Sequence, residues 1–178
     1  MEPESHSEAA APLTQPTGCC PPFDPAAWGQ ATVTWRDKAF VTDHVHCVMH
    51  VPIDMGSRIL RNQRLIDAAQ ARPDRPLMLS TDTSAWGANL YIEVTRPVAG
   101  ARMTTLSGKF STKVYEGPYS NAGKWVADMR HDMLEQQQPI ERLYLGYTTC
   151  PRCAKAYGKN YVVLFAQHAE GAQAASAA

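Results

Sequence analysis

Three groups of residues have the types and spacing that chemistry requires. Cys150-Pro-Arg-Cys153 sets two thiols at the two-residue spacing of a zinc knuckle, and Cys19-Cys20 offers the remaining two of a tetrahedral four-cysteine site. A shell closed by four thiolates leaves no position for water, so such a zinc would be structural; a disulfide or redox pair and unligated thiols are the alternatives. A thioredoxin-like role for Cys150 and Cys153 is disfavoured, because the pair is not expected to open a helix after a strand of a βαβ unit. Cys47, on an apolar strand face, reads as a core residue. The second group is acid/base. Glu93 is a carboxylate inside the apolar stretch Leu90-Tyr-Ile-Glu-Val-Thr95. Facing a groove, its pKa would rise by desolvation and suit it to proton transfer; facing solvent, it is an ordinary polar strand position. Glu116 and His50 stand at matched places in two similar segments, where they could meet as an acid/base pair or simply keep strand faces polar. His44, His46 and His50 together read as a polar strand face rather than a metal site. The third group is aromatic: Trp86, Tyr91, Tyr119, Tyr147 and Tyr157 could line a pocket for flat ligands, whereas Trp125 is expected in the core of its helix. No nucleophile elbow, phosphate loop or Ser-His-Asp ordering is present, which leaves water activation by Glu93 or Glu116, opposite a tyrosine donor, as the enzymatic scheme.

The elements that would position these groups follow from periodicity. Val41, Val45, Cys47, Met49 and Val51 alternate with polar residues, which predicts a strand from about 39 to 51 with one buried face. A helix is expected over 53–71 with Ile59, Leu60, Leu65 and Ile66 inward, then a hairpin with strands near 77–82 and 89–96. The order repeats: a strand over 103–115, a helix over 119–137 with Trp125, Met129 and Met133 inward, and strands near 142–149 and 160–167. Met49-His-Val-Pro-Ile-Asp-Met-Gly56 lies over Tyr115-Glu-Gly-Pro-Tyr-Ser-Asn-Ala122, Pro52 matching Pro118, and Leu77-Met-Leu79 falls on Leu143-Tyr-Leu145. The fold expected is α+β: a duplicated β-α-β-β unit whose two amphipathic helices pack on one mostly antiparallel sheet, the halves related by a pseudo-twofold axis with a groove at their junction.

Length and charge bound the class. A chain of 178 residues supports one core. Residues 1–18 read as a disordered tail, 19–37 as an ordered strap rich in Cys, Pro and Trp, 38–168 as the duplicated domain and 169–178 as a frayed tail. Seventeen basic residues balance seventeen acidic ones, so no global field favours nucleic acid or an anionic membrane. No apolar run approaches the roughly 18 residues of a membrane span, and the start lacks the pattern of a signal peptide, so the location expected is cytoplasmic.

The strand that ends in Glu116-Gly117-Pro118-Tyr119 before a helix, inside a duplicated β-α-β-β arrangement, resembles the GyrI-like small-molecule-binding family over about residues 38–168. Tyr147-Thr-Thr-Cys-Pro151 resembles a second motif of that family. Leu145 and Cys150 stand where the family carries carboxylates. The resemblance implies a cleft for hydrophobic, often aromatic or cationic ligands, and some family members hydrolyse reactive small molecules. The expectation is a stand-alone binding protein for a hydrophobic or aromatic small molecule. The alternatives are a hydrolase adding water by carboxylate-assisted activation and a gyrase-inhibitor-like interaction module. Structural zinc is the one cofactor considered and no organic cofactor is expected; no nucleic-acid or membrane partner is expected, and a homodimer is allowed for.

Overall fold

The computed structural model describes residues 20–169. The N-terminal tail, Cys19 and residues 170–178 lie outside that range. The chain begins with a single 3-10 turn at Pro25–Ala27, where Asp24 accepts a hydrogen bond from the amide of Ala26. Strand β1 (Thr32–Val48) follows, then a two-residue strand β2 (Val51–Pro52), helix α1 (Met55–Ala68), and the hairpin β3 (Met78–Ser84) and β4 (Gly87–Glu93). The second half comprises β5 (Arg102–Glu116), a 3-10 turn at Tyr119–Asn121, α2 (Ala122–Glu135), β6 (Ile140–Tyr147), α3 (Pro151–Tyr157) and β7 (Tyr161–His168).

Seven strands form one antiparallel sheet in the order β2-β1-β4-β3-β6-β7-β5, and β1 also pairs with β5. The sheet therefore closes on itself. One strand can serve two neighbours because β1 is long and interrupted: residues 32–42 pair with β5 and 40–46 with β4, with a register shift between Trp35 and Lys38. Asp37 sits in that shift at a φ of 48°, its amide donating to Ser107 Oγ at 2.8 Å. Such a bulge adds the local twist and bend that closure demands.

Side-chain alternation then divides the core. Val41, Val45, Cys47, Ala88, Leu90 and Ile92 pack under α1, and Leu143, Val162, Leu164 and Ala166 pack under α2 with Trp125, Met129 and Met133. The opposite face of the sheet curls around an aromatic core of Phe40, Tyr91, Phe110, Tyr144 and Phe165, against which Phe23, Trp28 and Trp35 pack. The register places Ser80 beside Leu90 and Leu145, so the two helices share one face of the sheet.

The α+β class with helices on an antiparallel sheet is present as expected. Two features were not. The tight reversal Met49-His50, both residues in the left-handed region at φ 49° and 67°, folds β2 back on β1 and delays the first helix to Met55. A third helix, α3, begins at Pro151 directly after Cys150, so the Cys-x-x-Cys pair does open a helix after a strand, contrary to expectation. Pro151 at the first helical position needs no amide partner and Gly158, at φ 68°, ends the helix. The unit is nonetheless no βαβ crossover, since β6 and β7 are antiparallel neighbours.

Candidate functional site

A cavity of about 1550 Å³ includes the cleft between α1 and α2 and extends to the N-terminal segment, where Phe23, Trp28, Trp35 and Phe165 of the aromatic side also line it. Met55, Ile59 and Ile66 of α1 form one wall. Tyr119, Ala122 and Val126 form the other, and Met78, Ser80, Leu145 and Tyr147 the floor. The second wall is positioned by Glu-Gly-Pro-Tyr. Gly117 has a φ of 138°, and a Cβ there would lie 3.2 Å from Asn121 and 3.4 Å from Trp125, so glycine lets the chain turn tightly into α2. Pro118 continues extended and delivers Tyr119 to the cleft.

Two hydroxyl-bearing rings dominate the floor and wall. Tyr119 and Tyr147 meet edge to face with centroids 5.7 Å apart. The Tyr119 hydroxyl donates to the Thr149 carbonyl at 2.9 Å, and burial, reinforced by Tyr147, Cys150 and Cys20, pushes its pKa up to about 12. Tyr147 Oη lies 2.8 Å from Ser80 Oγ, and burial raises its pKa, with the charge of Asp82 acting in the same direction. Both phenols are therefore neutral hydrogen-bonding groups at physiological pH.

At the mouth, His50 Nδ1 is 2.7 Å from Asp82 Oδ2, and the His50 amide donates to the Ala85 carbonyl at 2.9 Å. The carboxylate thus orients the imidazole and leaves Nε2 directed away from the pair. Both residues line the cleft. His50 and Glu116 are not brought together. Glu116, at the end of β5, lines a separate depression of about 420 Å³ with Gly117, Pro118 and Lys159. Glu93 lines the cleft but stands on the aromatic side of the sheet, opposite Phe40. Its carboxylate is paired with Lys38 Nζ and accepts from the Leu77 amide at 3.0 Å, so both oxygens are engaged. Among the expected aromatic ligand contacts, Tyr119 and Tyr147 line the cleft. Tyr91 is 5% exposed within the core, Trp86 is 62% exposed at the β3–β4 turn, and the Tyr157 hydroxyl donates to the Cys20 carbonyl.

Sequence reasoning missed Asp82, Ser80 and Lys38. Ser80 and Asp82 alternate with Leu79 and Thr81 on a strand, and a polar pair at period two on a strand expected to lie under a helix was the available signal. For Lys38 no local signal existed, because its partner is 55 residues away.

Cys20, Cys150 and Cys153 come together beside the cleft with all three sulfurs within 4.8 Å of one another. Cys153 is buried, and Cys20 and Cys150 are half-buried. This set could hold a metal ion. Cys47 lies apart in the core under α1, and burial raises its thiol pKa.

A family model described as "Bacterial hydrolase" matches residues 10–168. No curated protein matches the chain. Among solved structures, SAV2435 bound to tetraphenylphosphonium is similar, with a TM-score of 0.54 at 10% identity over 79% of this chain and 94% of that one. So is a hydrolase encoded by lin2189 from Listeria innocua, with a TM-score of 0.54 at 13% identity over 79% of this chain and 92% of that one. At such identities the likeness is one of fold.

Proposed function

The chain belongs to the bacterial hydrolase family, and from that premise we propose that it binds a hydrophobic small molecule between α1 and α2 and hydrolyses it there. The observation that carries this reading is the His50–Asp82 pair at the mouth of an apolar cleft whose floor holds the Tyr147–Ser80 hydrogen bond. Asp82 fixes the imidazole so that Nε2 can take a proton from water as the water oxygen bonds to an electrophilic carbon of the ligand. The bond that breaks leaves its electrons on the departing atom, which receives that proton from His50. Tyr147, neutral and half-held by Ser80, supplies a hydrogen bond to negative charge as it develops. Glu93, paired with Lys38, is assigned to holding β4 against Leu77 and not to activating water.

The second reading is sequestration without chemistry, favoured by the edge-to-face rings of Tyr119 and Tyr147 and by the tetraphenylphosphonium held by a protein of similar fold. One experiment separates the two. The purified chain is incubated with a panel of flat hydrophobic cations and electrophilic esters and epoxides, and the released compounds are weighed by mass spectrometry. A product heavier by one water, formed over many turnovers and lost in His50→Gln while ligand still binds, is the outcome expected. Unchanged compound recovered at one equivalent would leave sequestration standing, and full turnover by His50→Gln would remove His50 from the mechanism.

A further inference from the structure

The three-cysteine cluster is independent of that reading. Cys20 precedes the first turn, whereas Cys150 and Cys153 belong to the connection between β6 and β7, some 130 positions later in the chain. Chance burial of thiols does not require such convergence. A tetrahedral zinc with Zn–S bonds of about 2.3 Å sets its thiolates roughly 3.8 Å apart. The three sulfurs, all within 4.8 Å of one another, reach that spacing with shifts of about an ångström or less. A second observation points the same way. The Cys150 amide donates to Cys20 Sγ at 3.4 Å, the kind of N–H to sulfur bond that supports a metal thiolate. The surroundings are preorganised: Pro21 and Pro22 stiffen the chain after Cys20, Pro151 starts the turn that carries Cys153, and the Tyr157 hydroxyl grips the Cys20 carbonyl.

We propose that Cys20, Cys150 and Cys153 bind one soft divalent cation, zinc being the metal their chemistry suits best, and that this metal fastens the N-terminal segment to the β6–β7 connection. Binding forms three metal–sulfur bonds as three thiol protons pass to solvent. Cys20, Phe23, Thr149 and Cys150 also line the cleft, so the metal would fix one end of it.

The test uses the full chain, expressed with zinc in the medium, purified without chelator and assayed for bound metal. About one zinc per chain is expected, falling at least about tenfold in Cys150→Ser, which alters a half-buried position, and unchanged in Cys47→Ala, whose thiol lies elsewhere. The folded state of each variant is checked by circular dichroism. Cobalt added to the metal-free wild-type chain should give the intense near-ultraviolet band of thiolate charge transfer, abolished by zinc and absent in Cys150→Ser. Chelation should expose the segment around residues 20–31 to protease before the barrel is cut. A metal-free protein that takes up neither zinc nor cobalt, or one in which mass spectrometry finds a disulfide among these cysteines, overturns the proposal. Equal metal loss in Cys47→Ala and Cys150→Ser does so as well.

Discussion

Helix α2 rests on the sheet through Trp125, Met129 and Met133, which are 7%, 3% and 1% exposed. Helix α1, of the same 14-residue length, buries only Ile66 and the polar Asn62 to that degree. Half-buried Met55, Ile59 and Leu65 add packing to Ile66, and a charged network supplements it. Asp43, buried on β1, accepts from Arg61 at 2.7 Å and from Asn62 at 2.8 Å. At the start of the helix, Asp54 accepts from the His46 amide and ring and from Arg58. Helix α2 has its own charged ties, Lys113 to Asp128 and Asp132, but they flank a buried apolar row, so the α2 wall is set mainly by packing while the α1 wall relies more on hydrogen bonds and charge. Hydrophobic packing is specific in shape and insensitive to pH and salt, whereas a partly solvated network is the reverse. The α1 wall is the one expected to adjust to ligands of different size.

The largest effect should come from removing the packing wall. Trp125→Ala is expected to cost about 3–5 kcal/mol in denaturant unfolding, by lost burial and the cavity left behind. Asp43→Ala should cost about 1–3 kcal/mol, since Asn62 loses a buried partner while Arg61 regains water. Its mark is faster amide exchange confined to α1. If α2 loosens equally, the two walls are not independent. A paired glycine substitution sharpens the contrast. Gly117→Ala meets both a positive φ and the Trp125 ring and should destabilise by about 1–3 kcal/mol. Gly56→Ala, in open space on α1, should stabilise by about 0.4–1 kcal/mol. The smallest effect is with pH. Hydrogen bonds from His46, with help from Arg58, hold the Asp54 carboxyl at about 2, below its ordinary 3.8. A carboxylate with a depressed folded pKa stabilises above its unfolded value and loses that contribution as pH falls toward the folded one. Protection of the first turn of α1 should thus decline between about pH 4 and pH 2, and Asp54→Asn should flatten the decline.

The strands and both long helices could be read in outline because their apolar residues keep periods near two or 3.6. Leu60, Met49 and Val51, expected inward, are nevertheless 59%, 66% and 62% exposed, and β1 begins at Thr32, inside the expected strap. Trp125, Met129 and Met133 fell on one face as expected. Closure of the sheet was not legible. It depends on Lys38–Ala39 reaching Thr105–Leu106, a pairing no local pattern encodes. The site was legible in types and not in partners. His50, Tyr119 and Tyr147 were named from sequence, but the carboxylate beside His50 is Asp82, fixed by a backbone reversal at Met49-His50 that two non-glycine residues do not advertise. The cysteines were the opposite case, since Cys20, Cys150 and Cys153 were grouped from sequence and the fold brings these three together, while Cys19, the fourth of that expectation, lies outside the described residues.

Because β1 pairs with both β4 and β5, the first long strand made must wait for Arg102–Glu116 before it gains its full set of neighbours, and β5 and β6 wait in turn for β7. The contacts of β1 to Arg102–Ser111 close loops of about 60 to 80 residues. During synthesis the segment 32–48 has half a ladder until β5 leaves the ribosome, with Trp35 and Phe40 uncovered in the meantime. Folding is therefore expected to be slow and single-phased at closure. Mutations in the Trp35–Lys38 bulge should show mainly in the folding rate, while those in α2 should show mainly in the unfolding rate.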